Sequence, residues 1–455
     1  MDNFGAFMWR WRKPLLAGGL LLALGGFVGW NLAHVRIDPR LEAMRKKGYP
    51  ATLAQLNAWY PEILPSENAA RVYLEAFKSP LFKISSPGGR ANGDVELLPP
   101  RGEKLSAEDQ VRLEAFFATN QPALALLHSV GPGRRSRYPI DLTQGFNTLL
   151  PHIAQVRRGV LVLSAEALLR SAEGKDDEAV ESLQAAGRLA DSLTLEPLII
   201  SQLVRMASWG LLFKRVERIV NAGPLSDEPL AVLQKLATDA EHPDSLERAW
   251  IGEQAIGVAF FTERGAQSQV FGSGLGGPLG SSRSGARAMI TAMQVTGIFG
   301  RDRSVYMQIV SNAVAAAQLP FPARVERGRW TEKMSTNLVT RFCIFSRMMV
   351  PGVTSTFLAD ADHATRVRVA ATALAVERFR LAHTNALPNS LNELVPAFLS
   401  AVPPDPYDGK PLRFKQLNPG FVIYGLGRDG KDDDGAEGKP NSAKPPPDIS
   451  FTVGR

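Results

Sequence analysis

Pro151-His-Ile-Ala-Gln-Val-Arg-Arg-Gly-Val-Leu-Val-Leu-Ser-Ala-Glu-Ala-Leu-Leu-Arg-Ser-Ala-Glu-Gly174 opens the stretch that decides the fold, and the chain keeps its helical character from there to about Asn221. Gly174 and the surroundings of Pro197 interrupt it. The pattern therefore predicts three long helices, joined by turns short enough to set sequential neighbours antiparallel. Working outward, the same logic predicts helices on both sides. Pro39 to Lys47 reads as a short helix stopped by Gly48 and Pro50, and Thr52-Leu-Ala-Gln55 is a capping box that opens the next. A further run starts at Ser66 and carries Ala69, Ala70, Tyr73, Leu74 and Phe77 on one face, and Ser106-Ala-Glu-Asp109 caps another. Residues 79–104, rich in Pro, Gly and Ser, read as a loop. Downstream, helices are expected over Ser226–Ala240 and Asp244–Gly265, followed by a glycine-rich segment at 272–285. The fold class is mainly α.

A chain of 455 residues exceeds what one hydrophobic core organises, so at least two domains are expected. The apolar share of 45% and charged share of 21% are those of a folded chain. Cys343 stands alone, which excludes an internal disulfide and any metal site built from several thiolates. The net charge of +7 is mild. The nearest candidates for a basic patch, Arg134-Arg135-Ser-Arg137 and Arg324 to Lys333, read as solvated loops and carry no nucleic-acid motif, so no nucleic-acid partner is expected.

Within the central stretch, Ala165 through Ala186 is similar to the centre of a tetratricopeptide repeat, where small residues let two helices pack closely. No second copy follows at the repeat's period, so the expectation is an ordinary helical hairpin.

From Pro14 to Val35 there is no charged residue, and the run Leu15 to Leu24 continues through Phe27, Val28 and Trp30. At 1.5 Å per residue, about 20 helical residues cross a roughly 30 Å hydrocarbon core. Trp9, Trp11 and Trp30 sit where indoles favour the interface. Residues 14–35 are therefore expected to be a transmembrane helix that contacts the lipid bilayer. A cleaved signal peptide ending near Ala23-Leu24-Gly25 and a buried core helix are the rivals. Residues 1–13, with Arg10, Arg12 and Lys13, are read as a cytoplasmic stub. The count of basic residues after the helix opposes that orientation, but long domains translocate largely regardless of charge. The expected location is the inner membrane, single-pass, with the body in the periplasm.

Chemistry-bearing motifs are sparse. Six scattered histidines form no His-Glu-x-x-His helix, and there is no nucleophile elbow, Walker loop or kinase signature. Gly272-Ser-Gly274-Leu-Gly-Gly277 lacks the preceding strand and the downstream acid of a dinucleotide fingerprint. Asp360, Asp362 and His363 read as capping residues at a helix start, and Cys343 as core.

The C-terminal region, 362–455, has a recognisable order. A long helix over Arg366–His383 carries Glu377-Arg-Phe-Arg380, then come Leu387-Pro388-Asn-Ser390 and Asp405-Pro406-Tyr407-Asp408-Gly409. After these stand Gly420-Phe-Val-Ile-Tyr424-Gly425-Leu426-Gly427-Arg-Asp429-Gly430 and Asp448-Ile449. Leu412–Phe414, Phe421–Tyr424 and Ile449–Val453 read as short strands, so a helix followed by a small antiparallel sheet is expected. This order resembles the globular end of the major pseudopilin of type II secretion systems. The resemblance implies calcium in the loop before the last strand, held by Asp429 and Asp448 with the carbonyl of Leu426. Asp432 and Asp434 lie beside it as further oxygen donors, and calcium takes six to eight. A solvated acidic loop is the alternative. The loop from Gly430 to Pro447 is longer than the family's, and the N-terminus lacks the family's processing site, so the chain is not read as a pilin subunit.

The division expected is thus a stub, an anchor, a helical body over 36–350 and the pseudopilin-like end. The functional expectation is a membrane-anchored, non-enzymatic scaffold or binding protein of the bacterial envelope with protein partners there. The alternatives are a component related to type II secretion and an envelope hydrolase whose groups converge only in the fold.

Overall fold

The computed structural model describes residues 39–82, 95–263, 298–338, 352–438 and 447–455, with a few isolated positions between them. The transmembrane segment expected at 14–35 and the glycine-rich segment at 272–285 lie, but for scattered positions, outside the described residues. Among the described residues, no helix is long and apolar enough to cross a membrane.

The chain is mainly helical, with a small antiparallel sheet near its end. The helices are α1 (Pro39–Lys46), α2 (Leu53–Trp59), α3 (Ala69–Ala76) and α4 (Ala107–His128), then α5 (Pro151–Ala172), α6 (Asp176–Asp191) and α7 (Ile199–Ala222). After these come α8 (Asp227–Asp239), α9 (Ser245–Thr262), α10 (Ile298–Ala317), α11 (Ala323–Leu338) and α12 (Val353–Ala382). The strands are β1 (Arg413–Gln416), β2 (Phe421–Leu426) and β3 (Asp448–Val453).

Local chemistry explains where these elements start and stop. The Thr52 hydroxyl accepts the Gln55 amide at the head of α2, and Ser106 accepts the Asp109 amide at the head of α4. The start expected at Ser66 is instead at Ala69, because the Asn68 carboxamide accepts the Ala70 amide and takes the cap. Pro151 occupies the first turn of α5, where its missing N–H costs nothing. Gly174, at φ +76°, ends that helix in the left-handed conformation that glycine adopts without strain, and Asp176, Asp177 and Glu178 then favour the positive end of α6.

The three central helices form the expected antiparallel unit, α5 packed on both α6 and α7. α12 lies along α8 on one side and carries the sheet on another, while α7 also touches β3. One hydrophobic core runs from Leu53 through Val160 and Trp209 to Phe421, Phe451 and Val453. A second joins α9 and α10 to the first turns of α12 through Trp250, Tyr306 and Phe357. The sheet order is β1-β2-β3, antiparallel, with Arg413 opposite Tyr424 and Leu426 opposite Asp448. β2 is buried along its whole length.

Two expectations are corrected. α12 begins at Val353, well before Arg366, so Asp360, Asp362 and His363 lie inside a helix rather than cap one, and all three are buried. Asp360 is held by Arg324 at 2.8 Å, and Asp362 by Arg428 at 2.7 Å. The stretch from Arg324 to Lys333 is not a solvated loop but most of α11, with Arg324 buried against α12. Such pairing is needed, because a buried carboxylate left alone would carry a desolvation penalty of several kcal/mol.

Candidate functional site

An open groove of about 750 Å³ lies between α6, α7, α8 and the loop at 131–135. That volume lies in the range of ligand sites, roughly 300–1,000 Å³. Gly187 allows its floor to form: a Cβ there would stand 2.8 Å from the Trp209 ring and 2.9 Å from Leu236, so any side chain would push the two apart. Leu195, Val232 and Leu236 complete an apolar lining.

Polar groups punctuate this lining in a particular way. Asp191, at the end of α6, accepts the Trp209 indole N–H at 2.8 Å and has Arg205 Nη1 at 3.6 Å. His242 Nε2 lies 3.2 Å from the same carboxylate, an ionic neighbour without the alignment of a hydrogen bond. Arg188, one turn earlier on α6, has its Nε buried and unpartnered, and burial lowers the pKa of its guanidinium. The Thr194 hydroxyl is also buried without a partner. Arg188 Nε and Thr194 Oγ1 thus lie buried beside the groove without a hydrogen-bond partner among the described residues, where buried polar groups are ordinarily satisfied.

The loop at the rim is better fixed than its composition suggests. Arg134 donates to the Ser66 carbonyl, Ala69 N–H donates to the Arg135 carbonyl at 2.9 Å, and Asn68 bonds both the N–H and the carbonyl of Arg137. The Arg137 guanidinium stacks 4.7 Å from the Tyr60 ring centre. The reading of Arg134 to Arg137 as a solvated loop is corrected in that respect, although Arg134 and Arg135 remain exposed. Beyond this loop lies a second hollow of about 400 Å³, bordered by Glu62, Leu64 and Glu67.

The acidic residues expected to hold calcium are spread along the β2–β3 loop. Asp448, at the start of β3, accepts the Asp433 and Gly435 amides through Oδ2 at 3.1 and 2.8 Å, while its Oδ1 is buried with no partner. Burial pushes the Asp448 carboxyl up, against the pull of those amides. Asp429 accepts the Lys431 amide at 3.1 Å. Asp432 is engaged by Arg413 at 3.0 Å, and Asp434 by Lys415 at 3.4 Å, so these two already have cationic partners. Leu426 faces Asp448 across the ladder. Among the described residues no three His, Cys, Asp or Glu side chains form a group able to hold a metal ion, and 439–446 of this loop lie outside them. Asp432 and Asp434 thus face cations, whereas Asp429 and Asp448 accept backbone amides.

Compared with family models, curated proteins and solved structures, the chain matches none.

Two histidine–carboxylate pairs bear on the hydrolase alternative. His128 Nε2 lies 2.7 Å from Glu166, and Ser182 donates to the same carboxylate at 3.3 Å. His152 Nε2 lies 2.7 Å from Glu196, with Ser201 on the other oxygen at 2.5 Å. In each case the serine meets the carboxylate and not the imidazole, whereas an activated nucleophile needs its hydroxyl on the base. The first ties α4 to α5 and α6, and the second ties α5 to the α6–α7 connection and the head of α7. Cys343 is buried, as expected, and burial pushes its thiol up to about 11, which disfavours the reactive thiolate.

Proposed function

We propose that this chain is a membrane-tethered binding protein of the bacterial envelope, holding a partner in the groove between α6, α7 and α8. The carrying observation is that groove: about 750 Å³, lined by Leu195, Val232 and Leu236 and bordered by Arg188, whose side chain pairs with no carboxylate among the described residues. An open, mostly apolar cleft of this size with a few polar groups at its edge is the usual form of a binding site. The uncharged run at 14–35 supports tethering, and a body outside the cytoplasm is supported by Arg10, Arg12 and Lys13 directly before the run and by the length of the downstream domain, which translocates largely regardless of charge. In this reading the β2–β3 loop holds calcium through Asp429, Asp448 and the Leu426 carbonyl, as a structural ion.

The test is made in cells with the full chain. The protein is expected in the membrane fraction and open to protease only once the outer membrane is permeabilised. A photocrosslinking residue at Val232, inside the groove, is expected to give discrete adducts that the same residue at Glu108, on the exposed start of α4, does not. Full-length protein in the soluble fraction would end the tethering. Identical products from the two positions would end the groove as the place of binding.

A further inference from the structure

We propose that the groove's ligand is an extended polypeptide segment combining apolar side chains with an acidic one, its carboxylate placed against Arg188. The inference rests on the groove being the binding site and adds what it binds.

The argument is one of charge and shape. Two of the groove's charged groups neutralise each other, since Lys235 and Asp239 pair at 2.7 Å. Asp191 is occupied from within by Trp209, Arg205 and His242. Among the described residues Arg188 has no carboxylate within pairing distance, the Arg134 guanidinium donates to the Ser66 carbonyl, and Arg135, held through its own carbonyl, is exposed at the rim. The balance that reaches an occupant is cationic. An arginine fork matches a carboxylate in two parallel hydrogen bonds, and a partly dehydrated one gains more from it than a solvated one. Next to this charge stand Leu195, Val232 and Leu236, which call for apolar contact within one residue's reach of the acid.

The groove is open along one side and meets the second hollow at the Pro132–Arg135 ledge. A compact acid would leave that trough largely empty. A chain in extended form fills it and crosses the ledge, with its acid on the Arg188 side and not in the second hollow, which Glu62 and Glu67 border.

The experiment uses the full chain in nanodiscs and a fluorescein-labelled peptide, acetyl-Leu-Asp-Leu-Glu-Leu-amide. Its Asn/Gln counterpart, its Lys counterpart and free dodecanoate serve as comparators. The acidic peptide is expected to bind at least tenfold more tightly than the neutral one and to weaken with added salt, and the basic one not to bind. Arg188→Met, which keeps the stem and removes the fork, should abolish the acidic-over-neutral preference while the melting temperature holds. Val232→Trp, which fills the groove, should abolish binding of all peptides, so the result does not hang on one variant. Equal binding of acidic and neutral peptides, no binding of the acidic peptide, or an Arg188→Met protein that discriminates as well as wild type would overturn the proposal. Dodecanoate that displaces the peptide and binds more tightly would overturn the polypeptide in favour of a small acid. In each of these cases position-specific crosslinks from Val232 would still stand, so failure of the ligand class is distinguishable from failure of the site.

Discussion

His363 shows how one buried side chain can set a pH limit. Its Nε2 lies 3.0 Å from the Ala240 carbonyl, and its Nδ1 is buried without a partner. Burial, with Arg205 nearby, holds its pKa well below the ordinary 6.5, so the ring is neutral in the folded chain. The unfolded chain then binds the extra proton. The stabilisation is complete above about pH 6.5 and is lost as the pH falls below it, by up to about 1.4 kcal/mol per pH unit. Melting temperature measured from neutral to acidic pH is expected to fall over that window, and His363→Gln to flatten the fall. An unchanged slope in the variant would assign the loss to other groups. Nothing in the sequence around His363 announces this environment. Asp360, Asp362 and His363 resemble a helix start because acids favour the first turn, yet their partners, Arg324, Arg428 and Ala240, are all distant in the chain.

At the level of elements, the stretch from 151 to 222 is nearly readable by eye, because its boundaries are written locally in Pro151, Gly174 and Pro197 and its periodicity does the rest. The sheet is legible to within a residue or two for the same reason, as Gly420 and Asp448 punctuate short runs of β-formers. The groove is not. Its walls come from 131–135, α6, Trp209 and α8, and of these only Arg134 and Arg135 stand out as residues. The missing signal is relational: an arginine is remarkable there for what it fails to meet. The β2–β3 loop yields the prediction of this scale. Millimolar calcium is expected to raise the melting temperature, and Asp429→Ala to remove the gain, since a ligand that binds only the native state stabilises by mass action. Asp432→Ala should leave the gain intact, because that carboxylate is bound to Arg413. The absence of any calcium shift would dismiss the metal.

Taken whole, helices and sheet share one core, in which Phe421 and Val453 pack into the same cluster as Val160 and Trp209. Asn221 of α7 also clasps β3, donating to the Thr452 carbonyl and accepting the Gly454 amide, both at 2.8 Å. The sheet is therefore expected to melt together with the central helices. In denaturant, the helical circular dichroism and the fluorescence of a tryptophan placed at Phe414 should trace one coincident transition. Phe421→Ala should shift both by a similar amount, about 3–5 kcal/mol for a buried phenylalanine. An earlier, separate transition of the sheet probe would mean that the two regions are independent units.

α8 is wall to the groove on one face and passenger on α12 at the other. Its back is fastened: Arg378 grips Asp227 at 2.8 Å, and Gln234 donates to the Phe398 carbonyl at 2.7 Å. An arriving guest would thus meet a slot already shaped, with one side bolted in place. It could dock without first freezing that side, so less of its contact energy would be consumed in ordering the host.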